Sequence, residues 1–177
     1  MSEQPGRYQR SFSGMVGALL ILLVLITGFV LFRAATREDL EVEPERVDYL
    51  EAVGFAQDAD WSVAYPPSVP EGWRATSVES QPGREWGIGF LTPDGFAGLH
   101  QSDDPVDELL ETYVDEDPEE LDPVDIAGRP WEAWRDGDGD VGYVGEVDGQ
   151  QVLVYGSAPA EDLRDLAGSL TTAPLTG

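Results

Sequence analysis

Few side chains in this sequence can carry chemistry. Its 177 residues include one histidine, His100, and no cysteine, and all ten basic residues are arginine. Thiol nucleophiles, disulfides, thiolate zinc sites and a lipid-modified cysteine are therefore excluded, and no lysine is present for a Schiff base or a P-loop. Hydrolysis would rest on His100 or on carboxylates. His100 lies on a predicted strand between Leu99 and Gln101. No nucleophile-elbow G-x-S-x-G or H-E-x-x-H pattern accompanies it, so it reads as a structural or surface histidine. With 35 Asp and Glu residues, no carboxylate pair stands out as a glycosidase pair. No cofactor is expected, and the chain is not expected to be an enzyme.

The segment Asp136-Gly-Asp-Gly-Asp-Val-Gly142 matches two motifs formally. Gly137 to Gly142 has the G-x-G-x-x-G spacing of a dinucleotide loop, but its flanks read as strand and strand, and three aspartates would face a pyrophosphate. Asp136, Asp138 and Asp140 have the D-x-D-x-D spacing of a calcium loop. An EF-hand requires Gly at the sixth position and Glu at the twelfth, where this chain has Val141 and Val147. Two readings remain: a solvated hairpin tip, or a metal site of another geometry on Asp136, Asp138 and Asp140. Five tryptophans, Trp61, Trp73, Trp86, Trp131 and Trp134, read as core residues more readily than as a ligand groove. Trp131 and Trp134 fall on opposite faces of one strand and cannot share one core.

The elements that must position these residues begin with an apolar segment. Ser11 to Phe32 is 22 residues without a charge. As a helix it would extend about 33 Å, enough to cross a hydrocarbon layer. It is too long for a cleavable signal, and Ala34 and Ala35 are poor cleavage sites beside Arg33 and Thr36. The expected layout is a cytoplasmic tail (1–14), a transmembrane helix (15–33), an acidic linker (34–46), an extracytoplasmic domain (47–172) and a tail (173–177). Residues 1–37 hold four Arg and one Glu, a net of +3, whereas the remaining 140 hold six Arg and 34 acids, a net of −28. That negative field excludes nucleic acid as a partner. The segment predicts attachment to the cell membrane as a single-pass protein, N-terminus inside and domain outside, because long domains cross largely regardless of their charge.

Within the domain, a short helix is predicted over 48–57. The proline-rich crossing Pro66 to Trp73 excludes regular helix, and in it Pro70, Gly72 and Trp73 are the structural residues, with Trp73 plugging the core. Strands are predicted over 74–80, 85–92 and 96–102. A helix follows from Pro105, capped by Asp104, with Val106, Leu109, Leu110, Tyr113 and Val114 as its apolar stripe. Residues 115–123 read as an exposed acidic loop. Strands over 124–127, 130–135, 141–147 and 151–157 precede a helix over 160–170 that buries Leu163, Leu166, Ala167 and Leu170. The fold class is α+β, an antiparallel sheet with two or three helices packed on one face.

Five segments together resemble a known family: Arg7-Tyr-Gln-Arg-Ser-Phe-Ser-Gly-Met15, Pro70-Glu-Gly-Trp-Arg-Ala-Thr76, Ala127-Gly-Arg-Pro-Trp131, Val154-Tyr-Gly-Ser-Ala158 and Leu166-Ala-Gly-Ser-Leu170. They are similar to an actinobacterial family of single-span membrane proteins carrying a domain of unknown function. The resemblance covers nearly the whole chain and implies a bacterial envelope protein, with no catalytic residues to transfer. The expected function is a non-catalytic module that binds an envelope protein or ligand. The alternative is a carrier domain for a small ligand, a lipid or a divalent cation.

Overall fold

The computed structural model describes residue 19, residues 22–29 and residues 46–175. Two compact units divide the chain, Met1–Glu43 and Pro44–Gly177. In the first, residues 22–29 are helical, and the side chains of Leu22, Leu23, Val24, Leu25, Ile26 and Phe29 are exposed. Among the described residues no helix is long and apolar enough to cross a membrane. The tail expected over 1–14 lies outside the described residues, as does most of the span expected over 15–33 and of the linker expected over 34–46.

The second unit runs α1 (Tyr49–Asp58), β1 (Arg74–Gln81), β2 (Glu85–Thr92), β3 (Gly95–Ser102), α2 (Val106–Tyr113), β4 (Glu119–Ile126), β5 (Arg129–Arg135), β6 (Val141–Val147), β7 (Gln150–Gly156) and α3 (Ala160–Ser169). The seven strands form one antiparallel sheet in the order β1-β2-β3-β7-β6-β5-β4. Two meanders thus meet at the β3–β7 seam. The class is α+β, as the periodicities predict.

The larger core lies on one face, where Trp86, Ile88 and Phe90 of β2, Leu99 of β3, Trp131 of β5 and Val152 and Val154 of β7 are buried. Helix α1 closes it with Tyr49, Val53 and Ala56, and its first turn is held by Asp48, whose carboxylate accepts from the backbone N–H of Leu50 and Glu51. Helix α3 closes it with Leu163, Leu166 and Ala167, as its spacing predicts. Between them the chain from Trp61 to Trp73 lies across the sheet as a strap. The amide of Gln101, 5% exposed, fastens it by accepting from Ala64 N at 2.7 Å and donating to Ser62 O at 3.0 Å. The indole of Trp86 donates to Ala64 O at 2.9 Å. Gly72 turns the chain at φ 88° and delivers Trp73, 4% exposed, to within 6.0 Å of the Phe90 ring. Pro70 O accepts from Trp73 N across this turn. Residues 173–175 are also tied down: Ala173 O accepts from Gln57 Nε2 and Tyr65 Oη, and Leu175 N donates to Gln57 Oε1.

The sheet corrects the sequence-based expectation in three places. Helices cover both faces rather than one. Leu109 and Leu110 of α2 bury against Val144 of β6 and Leu153 of β7, with Tyr113, Val114, Trp134 and Tyr155 around them, on the side opposite α1 and α3. The physical reason is that β6 and β7 carry apolar residues at consecutive positions, so both of their faces need cover. Trp131 and Trp134 accordingly sit in different cores. Second, part of the expected 115–123 loop is strand. Glu119–Ile126 is an edge strand with an irregularity between Leu121 and Val124, which accommodates Asp122 and Pro123. Proline and exposed charge belong at such edges, where they block further pairing. Third, Asp104 does not cap α2; Pro105 holds the cap position without a side-chain bond, and the Asp104 carboxylate accepts from Ser102 Oγ at 2.6 Å.

Candidate functional site: a glycine-floored recess beside His100

Strand register sets the composition of the α2 face. One row across it reads Glu79, Gly87, His100, Leu153, Val144. The next reads Ser77, Gly89, Gly98, Tyr155, Gly142, Trp134. Glycine therefore replaces side chains over β2 and at Gly98 of β3. The large residues of β2, Trp86, Ile88 and Phe90, all point to the opposite core. What remains above the glycines is a recess of about 90 Å³, lined among others by Ser77, Glu79, Phe96, His100 and Tyr155.

The glycines are required by close approach. A Cβ at Gly98 would come within 2.5 Å of the Tyr155 ring, one at Gly89 within 2.5 Å of Ser77 Oγ and 3.2 Å of the Phe96 ring, and one at Gly87 within 3.3 Å of His100 Nδ1. The aromatic rings then pack in series. The His100 and Tyr113 centroids are 4.3 Å apart, those of Tyr113 and Tyr155 5.2 Å, and those of Tyr155 and Phe96 6.0 Å. Helix α2 thus joins this series of rings through Tyr113 at its last turn.

His100 is only 2% exposed, and its Nε2 lies 3.4 Å from the Tyr113 hydroxyl. Burial pulls its pKa below the ordinary histidine value, against the opposing pull of Glu85, Glu79 and Asp104. The ring is therefore neutral at neutral pH. In the tautomer protonated at Nε2, that nitrogen donates to Tyr113, and Nδ1 presents a lone pair above Gly87. Nδ1 and the Tyr155 hydroxyl have no hydrogen-bond partner among the described residues. Burial first, then Tyr113 and Glu79, raise the Tyr155 pKa far above the usual phenol value, so its hydroxyl stays protonated. Desolvation likewise raises Tyr113. The site is thus a half-enclosed pocket of neutral polar groups and ring faces, with Glu79 exposed at its rim.

The residues singled out by spacing lie elsewhere. Asp136 Oδ1 accepts from the backbone N–H of Asp138, Gly139 and Asp140 at 2.9, 2.7 and 2.8 Å, so this carboxylate organises its own turn. Asp115 Oδ2 adds a bond from Gly137 N at 3.1 Å. Burial and the neighbouring Asp136 and Asp138 push the Asp140 carboxyl up. Among the described residues no group of three or more His, Cys, Asp or Glu side chains is placed to hold a metal ion. Trp73, Gly72 and Pro70 belong to the strap on the opposite face, where Trp73 and Pro70 line a separate cavity of about 280 Å³ against α3.

Sequence reading singled out His100 but not Glu79, Tyr113, Tyr155 or the glycines beside it. The usable signal is Gly87-x-Gly89 at a spacing of two between large apolar residues, which strips one face of a strand while filling the other.

The model of a family described as "Protein of unknown function (DUF4245)" matches residues 7–170. The chain belongs to this family. No curated protein and no solved structure matches the chain. The DUF4245 match takes in all seven strands, the strap, and every residue of the His100 recess.

Proposed function

We propose that this DUF4245 member is a single-pass protein of an actinobacterial cell envelope. The segment 15–33 anchors it with the N-terminus inside, residues 34–46 act as an extended acidic spacer, and the α+β domain stands outside as a non-catalytic binding module. The observation that carries the placement is the uncharged stretch Ser11 to Phe32, set between a +3 segment and a −28 remainder. The binding role rests on the recess. His100 is buried and neutral, Tyr155 is half-buried and protonated, and Ser77 Oγ has no hydrogen bond to His100 among the described residues, so the recess offers contacts rather than an activated nucleophile. A reporter fused after Gly177 tests the placement. Activity confined to the outside of the membrane is expected, and activity confined to the cytoplasm would overturn the proposal.

A second reading, a carrier of a lipid or small apolar ligand, is favoured by the cavity of about 280 Å³ between Val69, Pro70, Trp73 and Leu166. Its mark would be a rise in melting temperature of the full chain with envelope lipids that is lost on Trp73→Ala.

A further inference from the structure

The recess beside His100 has the chemistry of a receptor for an organic cation. We propose that it takes the ammonium or guanidinium head of a basic side chain presented by a partner protein. This deepens the binding-module reading and rests on it.

Three observations carry the inference. The first is acceptor chemistry. Among the described residues the buried imidazole has no hydrogen-bond partner at Nδ1, over Gly87, and the hydroxyl of Tyr155 has none over Gly98. Ammonium and guanidinium groups are pure donors, so the phenol oxygen of Tyr155 and, in the tautomer protonated at Nε2, the Nδ1 lone pair of His100 are complementary to them. The second is the ring walls. The rings of Phe96 and Tyr155, with centroids 6.0 Å apart and planes inclined at 59°, line the recess, and a cation seated over either face would be held by the ring quadrupole. The third is the field: the charges acting on His100 are those of Glu85, Glu79 and Asp104, all carboxylates, and Glu79 stands at the rim itself. An anionic ligand would meet all three as repulsion.

Size sets the limit on the occupant. A recess of about 90 Å³ admits the head of a side chain but not a whole amino acid or a drug-sized molecule. The remainder of a basic ligand must therefore stay outside, as it does when the head group belongs to another protein. The acidic surface of the domain would steer such a partner by long-range attraction.

The single histidine makes the test direct, because the full-length chain labelled with ¹³C at histidine gives one imidazole signal. It is titrated at fixed pH and ionic strength with N-acetyl-lysine methylamide, N-acetyl-arginine methylamide and the uncharged N-acetyl-norleucine methylamide. A saturable shift with at least one of the two cationic probes and none with norleucine is expected. Glu79→Gln should weaken that response about two- to fivefold, the range for one exposed charge. Tyr155→Phe, which keeps the ring and removes the hydroxyl, should weaken it further, with thermal unfolding used to verify that each variant folds. No saturable shift with either cation, an equal shift with norleucine, or a response insensitive to both substitutions would overturn the proposal. A silent titration alongside an extracytoplasmic reporter would remove the cation site and leave the anchored module standing.

Discussion

Gly98 lies so close beneath Tyr155 that one methyl group would reach 2.5 Å from the ring. Gly98→Ala must therefore displace Tyr155, and with it the stack on Tyr113. A loss of about 1–3 kcal/mol is expected, the usual cost of overpacking, and is measurable by denaturant unfolding. A variant as stable as the parent would mean that Tyr155 is free to move. His100 supplies a pH test at the same scale. Its folded pKa lies below the ordinary value of 6.5, so the unfolded chain binds the proton more readily. Its contribution to stability is complete above 6.5 and is lost as pH falls from there toward the folded value. The stability difference between the parent and His100→Gln should accordingly shrink on acidification through that window, and a pH-independent difference would contradict the burial argument. From sequence alone His100 reads as one histidine on a strand. Its partner Tyr113 is 13 residues away on a helix, and Tyr155 is on a strand of the other meander. The β3–β7 pairing brings Tyr155 beside β3 and the docking of α2 adds Tyr113, and spacing along the chain holds no trace of either.

Elements differ in how plainly their residues announce them. The stripe Val106, Leu109, Leu110, Tyr113 and Val114 is legible because its apolar residues recur at helical spacing, and all five meet in the smaller core. Leu110, 4% exposed, is central there, and Leu110→Ala should cost about 2–5 kcal/mol in chemical denaturation, whereas a near-neutral result would mean that α2 is not docked on the sheet. Which face α2 covers is less legible, since a helical stripe says only that something is covered. The missing clue is Val152-Leu-Val154 in β7, an unbroken apolar run that signals burial on both faces. Strand β4 is hidden for the opposite reason: its acids and Pro123 imitate a loop, although they suit an edge. Replacing the exposed Glu119, Glu120 and Asp122 by Thr should increase self-association over the parent in light scattering at equal concentration. Equal scattering would show that these charges do not guard the edge.

At the scale of the whole molecule, composition excludes more than it specifies. The absence of Cys and Lys rules out several chemistries, and the split of charge between +3 and −28 separates two parts of one chain. Strand order across the sheet has no counterpart in local pattern, because two meanders can meet at either edge with the same hairpins. The recess is a product of that order, which is why a motif search passes over it. Placement outside the membrane is the claim on which a receptor for a basic partner depends. The Cys-free chain allows it to be measured with one introduced thiol at the exposed position Glu161 in the first turn of α3. In intact cells carrying Glu161→Cys, a membrane-impermeant maleimide should label the protein, and the labelled chain should sediment with the membranes. Labelling only after lysis, or labelled protein recovered free of membranes, would contradict an anchored domain facing outward.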